Sequence, residues 1–225
     1  MTKKEEAEAR RAARLAAERE RIDAMKEYER KFGSYGLICG VDEAGRGPFA
    51  GPVVAGAVIL DLADASKEIL YLNDSKKLSE KKREELYAEI MEKAVSVGVG
   101  IVENDVIDEI NILQATYRAM QQAIAALDPQ PDFILADAVT IPDILIPQAG
   151  IIKGDAKSVS IAAGSIIAKV TRDRMMLEYD RQFPQYGFAS HKGYGTAAHI
   201  EAIQKYGPLP IHRRTFIHKY IRYNP

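Results

Sequence analysis

The stretch "GLICGVDEAGRGPFAGPVVAGAVIL", residues 36–60, decides the fold. Both of its ends are apolar runs rich in β-branched residues, which predict two neighbouring strands. Asp42 and Glu43 come directly after the first run and are followed by a glycine-rich turn around Arg46. An acidic pair that repels phosphate therefore lies beside a loop whose backbone amides and arginine could bind a phosphate.

The rest of the chain continues this alternation of apolar runs and helical patterns. Further strands are predicted at "VSVGVGIV" (95–102), "DFILAD" (132–137) and "GIIK" (150–153). Helices are predicted from Ser79 to Lys93, from Asn104 or Asp105 to Leu127, and from Ser158 to Phe183, and the last third is mainly helical. This order predicts an α/β fold in which a mixed central sheet is flanked by helices, with a helical C-terminal part.

Residues 1–33 have a different composition from the rest. They contain no Gly or Pro before Gly33, are rich in Ala, Glu, Arg and Lys, and carry one narrow apolar stripe. Gly33 and Gly36 then stop the helical pattern. We expect a charged N-terminal helix at residues 1–33, peripheral to a main domain at residues 34–225.

Composition narrows the class of protein. With 225 residues, 24.9 kDa and 47% hydrophobic residues, the chain suits one large domain or one domain with an appendage. No apolar run is long enough for a membrane span, and the N-terminus lacks the apolar core of a signal peptide, so we expect a cytoplasmic protein without a membrane partner. The lone Cys39 lies in a strand pattern and is interpreted as a buried thiol.

Charge is unevenly distributed along the chain. The net charge of -1 argues against a general nucleic-acid coat, but residues 150–225 hold more Lys and Arg than Asp and Glu, and all 4 histidines. This surplus alone fits an ordinary solvated surface as well as a phosphate-binding one.

Four carboxylates occupy positions where the sites of open α/β sheets gather. Asp42 and Glu43 end the first strand, Asp137 ends the fourth, and Asp155 follows the fifth. Taken singly, an acid at a strand end is often a turn or cap residue. Together they form an oxygen-only set that favours Mg²⁺ or Mn²⁺, and Asp42 could bridge two ions about 3.5 to 4 Å apart.

The glycine-rich turn is not a nucleotide-binding loop. Ala50 takes the last glycine position of G-x-G-x-x-G, Pro48 and Pro52 hinder a helix start, and no Lys-Ser/Thr pair follows. A loop with Gly45 and Gly47 could instead turn its backbone groups toward a sugar or phosphate, with Arg46 as a charged anchor.

Six segments in order resemble the motifs of bacterial ribonuclease HII across residues 40–216. They are "GVDEAGRGPFAGPVVAGAVIL", "NDSKKLSE", "NILQATYRAM", "KGDAKSVSIAAGSIIAKVTRDR", "HKGYGT" and "YGPLPIHRRTF". The resemblance implies a ribonuclease H-like fold and a metal-dependent endonuclease. Its substrates would be RNA-DNA hybrids and duplex DNA containing single ribonucleotides, cut 5′ of the ribonucleotide to leave 3′-hydroxyl and 5′-phosphate ends, as in ribonucleotide excision repair.

The resemblance also assigns residues. The family's catalytic, metal-binding acids fall on Asp42, Glu43, Asp137 and Asp155, which would hold two ions, one activating water and one stabilising the leaving 3′-oxygen. By resemblance, Gly45, Arg46 and Gly47 contact the ribonucleotide and its 2′-hydroxyl, and Tyr194 packs on the next sugar. Further expected substrate contacts are Lys76, Lys77, Ser165, Lys169 and Arg172, with weaker phosphate contacts at His191, Lys192, His212, Arg213 and Arg214.

Other interpretations remain open at this stage. One is a nuclease of the same fold without ribose selectivity, and another is an inactive hybrid-binding module. The related type III enzymes lack the glycine-arginine-glycine loop, so the loop favours type II. Gly164 stands where the family resemblance leads us to expect alanine, and we expect it to lower helix stability. We expect a monomer.

Overall fold

A mixed five-stranded sheet forms the centre of the computed structural model, which describes residues 2–221. Its strands are β1 (Ile38–Ala44), β2 (Val53–Ile59), β3 (Ser96–Val102), β4 (Phe133–Asp137) and β5 (Gln148–Ile151), in the order β3-β2-β1-β4-β5. The pairs β1–β2 and β2–β3 are antiparallel, whereas β1–β4 and β4–β5 are parallel. The predicted mixed sheet is confirmed.

Helices cover both faces of the sheet and build the C-terminal part. They are α1 (Lys3–Ala24), α2 (Glu27–Phe32), α3 (Glu80–Lys93), α4 (Asn104–Ala125), α5 (Val159–Gln182), α6 (Phe188–His191), α7 (Ala197–Tyr206) and α8 (Arg214–Ile217). Helix α4 packs on β2 and β3, and α5 packs on β1 and β2 from the other side. Within residues 2–221, no helix is both long and apolar enough to cross a bilayer.

Glycines let α5 approach the sheet closely. A Cβ on Gly40 would lie 2.0 Å from the carbonyl carbon of Ser160, and a Cβ on Gly56 would lie 2.3 Å from the carbonyl oxygen of Gly164. A Cβ on Gly164 would in turn lie 2.8 Å from the Gly56 oxygen. Gly164 therefore has a packing reason that outweighs its low helix propensity, because an alanine there would push α5 away from the sheet.

The centre of β1 is buried on both faces. Val41 and Cys39 point into the core beneath α4. Burial raises the pKa of the Cys39 thiol to about 12, so almost none of it is thiolate at neutral pH. The interpretation of Cys39 as a buried thiol is confirmed.

Two predicted elements differ from the structure in their bounds. The fifth strand lies two residues earlier than "GIIK", because Ile152 is exposed and Lys153 adopts a left-handed conformation with φ of 58° that ends the strand. Helix α4 bends at Asn111, where φ is 68°, and the Asn111 side chain accepts hydrogen bonds from the amides of Leu113 and Gln114. Asn111 thus caps the second half of α4.

The N-terminal segment is broken into α1 and α2 and has two unlike halves. Residues 2–17 are exposed, whereas Ile22 and Met25 are buried in a cluster with α3 and α5. Phe32 stacks on Phe133 of β4 with ring centroids 4.3 Å apart. The second half of the predicted extension is therefore packed on the sheet and on α5.

Candidate active site

Three carboxylates converge at one edge of the sheet. One oxygen from each of Asp42, Asp137 and Asp155 lies within 4.8 Å of the others. Asp42 is near the end of β1 and Asp137 ends β4. Because these two strands are parallel neighbours, both acids lie at the same edge of the sheet. Asp155 lies in the turn Gly154–Ala156 between β5 and α5.

The cluster is electrostatically unfavourable without a cation. Burial, and then the charges of Glu43 and Asp137, hold the pKa of Asp42 well above its ordinary value. Burial, followed by the charges of Asp74 and Asp137, raises the pKa of Asp155 to about 6. An oxygen-only set under such repulsion fits a hard divalent cation such as Mg²⁺ or Mn²⁺.

Glu43, the fourth predicted acid, lies beside this trio and is not one of its members. Its carboxylate accepts a hydrogen bond from the Arg46 guanidinium at 3.3 Å. Burial raises the pKa of Glu43, and the charge of Arg46 opposes that rise. The structure thus brings three of the four predicted acids together and places the fourth between them and the glycine loop.

Hydrogen bonds orient two of the acids. Asp137 accepts a bond from the Gly154 amide at 2.7 Å, which ties β4 to the turn that carries Asp155. Asp42 accepts a bond from the Glu43 amide at 2.7 Å, and Ser165 of α5, whose hydroxyl lies 2.9 Å from that of Ser75, opposes the rise in the pKa of Asp42. Ser165 is buried, which suits a residue that supports Asp42 better than the expected direct substrate contact.

The glycine loop and Tyr194 share an open cleft of about 760 Å³ with two of the acids, Glu43 and Asp137. Gly45 has a φ of 96°, which favours glycine, and a Cβ on Gly47 would lie 3.6 Å from the Tyr194 ring. Tyr194 is 44% exposed. The cleft is lined by Glu43, Ala44, Gly45, Arg46, Gly47, Ser75, Lys76, Arg83, Asp137, Lys169, Arg172 and Tyr194.

Two buried arginines hold this loop from behind. Arg213 donates to the carbonyl oxygens of Gly45 at 2.6 Å, Arg46 at 2.9 Å and Gly51 at 3.0 Å. Arg172 donates to those of Ala50 and Pro52, both at 3.0 Å, and of Lys192 at 2.9 Å. The second arginine thus joins the glycine loop to the segment that carries Tyr194.

These contacts differ from those expected for both arginines. Arg172 and Arg213 were expected to contact the substrate or its phosphates, but each is at most 1% exposed and each uses its donors on backbone carbonyls. Burial lowers the pKa of Arg213 to about 9 and that of Arg172 to about 10, which leaves both charged at neutral pH. They position the loop.

The lysines expected to bind substrate have different surroundings. Lys76 lines the cleft; burial lowers its pKa, but the charges of nearby carboxylates, Asp42 first, outweigh burial and raise it. Lys169 also lines the cleft and is ion-paired with Asp173 at 2.7 Å. Lys77 is exposed and does not line the cleft.

His212 is a core residue and not the phosphate contact suggested by its basic neighbours. Its Nε2 lies 3.0 Å from Nε2 of His199, and neither ring is exposed. Burial lowers the pKa of both imidazoles to about 4, so both are neutral at pH 7.

Two charged residues near the site were missed in the sequence. Asp74 caps the turn Ser75–Lys77 by accepting from the Lys76 amide at 3.0 Å, and its charge raises the pKa of Asp155. Arg83 lines the cleft and donates to the carbonyls of Ser75 and Leu78. The Asp-Ser pair is typical of a cap, but nothing local indicates that this cap faces Asp155.

Comparison with known proteins gives consistent matches. The family model described as Ribonuclease HII matches residues 39–220. The curated Ribonuclease HII of Lachnoclostridium phytofermentans is 63% identical over 204 residues, which are 91% of this chain and 79% of that protein.

Solved structures agree with this match. The crystal structure of ribonuclease H2 from Pyrococcus horikoshii OT3 superposes with a TM-score of 0.67 at 29% identity, covering 82% of this chain and 96% of that one. The structure of the PCNA:RNase HII complex from Archaeoglobus fulgidus gives a TM-score of 0.64 at 26% identity, covering 79% and 93%.

Proposed function

The chain belongs to the ribonuclease HII family and is an endoribonuclease that hydrolyses RNA in RNA-DNA hybrids. From this premise we propose a more specific activity. The enzyme cuts duplex DNA on the 5′ side of a single embedded ribonucleotide as well as the RNA strand of continuous hybrids. It leaves 3′-hydroxyl and 5′-phosphate ends and works with two Mg²⁺ or Mn²⁺ ions. The family depends on a divalent metal, and the acidic cluster could hold one.

The observation that carries this proposal is the contiguity of two unlike features in one cleft. The converging carboxylates suit the charge of a metal-bound phosphate, and the Gly45–Gly47 loop begins two residues after Glu43. Arg46 bridges the two through its bond to Glu43. If the scissile phosphate lies at the acids, the adjoining 2′-hydroxyl would lie beside the loop.

The loop can recognise a ribose through its backbone. Gly45 and Gly47 carry no side chain, so their peptide groups can approach a 2′-hydroxyl, which is both donor and acceptor. Arg172 and Arg213 consume six donors on this loop and its neighbours, which fixes the peptide groups before substrate arrives. The Tyr194 ring is exposed beside Gly47, which supports the proposal that it packs on the next sugar.

The acids serve the cleavage step. Asp42, Asp137 and Asp155 would hold the ions, with Glu43 completing the set as it leaves Arg46. When bound, the ions would lower the pKa of water and offset charge on the phosphate. In the reaction, a bond from the water oxygen to phosphorus replaces the P–O3′ bond; the attacking water loses one proton to solvent, and the leaving 3′-oxygen gains one from solvent. Lys76, which lines the cleft, offsets phosphate charge.

We further propose that the enzyme works as a monomer in the cytoplasm. The acids, the glycine loop and Tyr194 all come from one chain, so the site needs no residue from a second copy. The cytoplasm is where a bacterial enzyme meets the chromosomal DNA that carries misincorporated ribonucleotides.

The test uses three end-labelled substrates of one sequence: a duplex with one ribonucleotide, the same duplex in all-DNA form, and a continuous RNA-DNA hybrid. With Mg²⁺ or Mn²⁺ we expect a single cut 5′ of the ribonucleotide, with a 3′-hydroxyl that a DNA polymerase extends and a 5′-phosphate that a phosphatase removes, and no cut in all-DNA. Cleavage of the hybrid alone would contradict the narrower activity and leave a nuclease without junction selectivity. Asp42→Asn serves as the inactive control.

A further inference from the structure

A buried glutamate of the N-terminal segment contacts the start of α5. Glu29 lies on α2 and is only 3% exposed. Its Oε1 accepts hydrogen bonds from the Ser158 hydroxyl at 2.6 Å and from the Ser160 amide at 3.0 Å. Nearby, the carbonyl of Met25 accepts from the Val159 amide at 3.2 Å. These contacts join the N-terminal segment to residues about 130 positions away in the chain.

Together they complete the N-terminus of α5. The first amides of a helix have no acceptor within the helix. Here the Val159 amide is satisfied by Met25, the Ser160 amide by Glu29, and the Ile161 amide by the Ser158 hydroxyl. A carboxylate is also the charge that a helix N-terminus favours, which offsets part of the cost of burying Glu29.

The same helix start holds the turn that carries Asp155. The amides of Ser158 and Lys157 donate to the Gly154 carbonyl at 2.8 and 2.9 Å, and the Gly154 amide donates to Asp137. Glu29, Ser158 and Gly154 thus form a continuous path from α2 to two members of the acidic cluster. No residue of this path other than Asp137 and Asp155 is assigned to the reaction.

We propose that Glu29 is a positioning residue, which fixes the start of α5 and thereby holds Asp155 in the geometry that binds metal. The proposal rests on the proposed function for its consequence in catalysis. It gives the packed half of the N-terminal segment a task in supporting the active site, without contact with substrate or metal.

The experiment compares Glu29→Ala with Glu29→Gln, which keeps an oxygen acceptor, and with Ile90→Ala, a control in α3 that is buried in the same apolar cluster as Val159 but makes none of the path's hydrogen bonds. Hydrogen exchange is measured by mass spectrometry on the metal-free full chain. In Glu29→Ala, exchange at residues 154–162 should be about tenfold faster, as expected for a lost helix cap. In Glu29→Gln, exchange at these residues should be at most about fivefold faster. In Ile90→Ala, it should rise only as far as the global stability of the protein falls.

Mn²⁺ binding without substrate, read from the electron paramagnetic resonance of the free ion, supplies the second measurement. Glu29→Ala should weaken Mn²⁺ binding about tenfold, as outer contacts of metal ligands do, and Ile90→Ala should not. Unchanged exchange at residues 154–162, unchanged Mn²⁺ affinity, or equal effects of Ile90→Ala would overturn the proposal. Neither measurement depends on cleavage. The role of Glu29 can therefore be contradicted while the proposed cleavage pattern holds, and the cleavage pattern can be contradicted while the role of Glu29 holds.

A second pair of variants covers the case in which Glu29→Ala does not fold. Glu29→Asp keeps the charge but withdraws the carboxylate by one carbon, whereas Glu29→Gln keeps the reach and loses the charge. If reach is what positions the turn, the Asp variant loses protection at residues 154–162 and the Gln variant retains it. The opposite order would overturn the proposal.

Discussion

The acidic cluster and the glycine loop are neighbours in one cleft, yet they are held in opposite ways. The three converging acids repel one another, and burial and repulsion raise the pKa values of Asp42 and Asp155. The loop is backed by two buried positive charges, Arg172 and Arg213, whose donors are spent on backbone carbonyls. The acidic cluster has uncompensated negative charge that a cation would neutralise, whereas the charges behind the glycine loop already bind backbone carbonyls and fix the loop's conformation.

This difference shows that the charge of a residue near a nucleic-acid site does not by itself indicate the residue's role. Arg213 and Arg214 are adjacent in a basic motif, but Arg213 is buried behind the loop and Arg214 is exposed. Substitutions that lower charge repulsion should therefore stabilise the acidic cluster and destroy its activity, and substitutions behind the loop should damage both stability and recognition.

The largest expected effect is at Asp42. Asp42→Asn should reduce cleavage of every substrate by at least about a thousandfold, because it removes a charge that would hold the metal. The metal-free variant should be more stable at pH 7 by about 1 kcal/mol, since a buried, repelled carboxylate becomes neutral. Gel assays and melting in EDTA measure both, with Asp143→Asn as an exposed control.

The gain in stability should disappear as the pH falls below the raised pKa of Asp42, where the wild-type carboxyl is itself protonated. A variant that cleaves normally at millimolar Mg²⁺, or that melts earlier than wild type in EDTA at pH 7, would contradict the description of this cluster.

The next effect is at Arg213. Arg213→Lys keeps the charge but cannot serve three carbonyls in one plane, so buried acceptors lose their partners at a cost of about 2 to 4 kcal/mol. Cleavage at a single ribonucleotide should fall about a hundredfold. The matched control is Arg214→Lys, one residue along on an exposed side chain, which should change neither melting temperature nor cleavage. Equal effects of the two variants would show that Arg213 acts through phosphate contact.

A smaller and selective effect is expected at Tyr194. Tyr194→Ala should lower cleavage at a single ribonucleotide about tenfold and change cleavage of a continuous hybrid less, because a stacked aromatic contributes about 1 to 3 kcal/mol. Its melting temperature should stay nearly constant. Tyr71→Ala is the control, since Tyr71 is also 44% exposed but does not line the cleft. Equal losses on both substrates with a large fall in melting temperature would instead indicate a core role for Tyr194.

The smallest effect concerns pH. Because burial and the neighbouring carboxylates raise the pKa of Asp155 to about 6, Asp155 must release a proton to bind a cation in that range. The Mg²⁺ concentration for half-maximal cleavage should rise as the pH falls from 7 to 5.5, by roughly three- to tenfold. The metal-free protein should gain stability over the same interval, since the folded state favours the protonated acid. A Mg²⁺ requirement that is constant over this range would remove Asp155 from the metal site.

The sequence predicts the sheet and the acidic cluster well because their causes are local. Asp42 and Asp137 follow apolar, β-branched runs, and neighbouring parallel strands end at one edge. The fifth strand was placed two residues late, since a left-handed Lys153 cannot be recognised from composition.

The contacts that position the site were beyond prediction because they join distant segments. Glu29 meets Ser158 across 129 positions, and Arg213 meets Gly45 across 168. In the sequence, each of these charged residues is typical of a solvated surface. Only the folded chain shows that each is buried against backbone groups.

The buried Cys39 has a practical consequence for spectroscopy. The sequence holds 1 cysteine, and its thiol is fully buried and almost entirely protonated at neutral pH. A maleimide fluorophore should therefore not react with Cys39 in the native protein, but should react with a cysteine introduced at an exposed position such as Lys77. Distances to a labelled duplex could then be followed by energy transfer without first replacing Cys39, a residue whose volume the core beneath α4 requires.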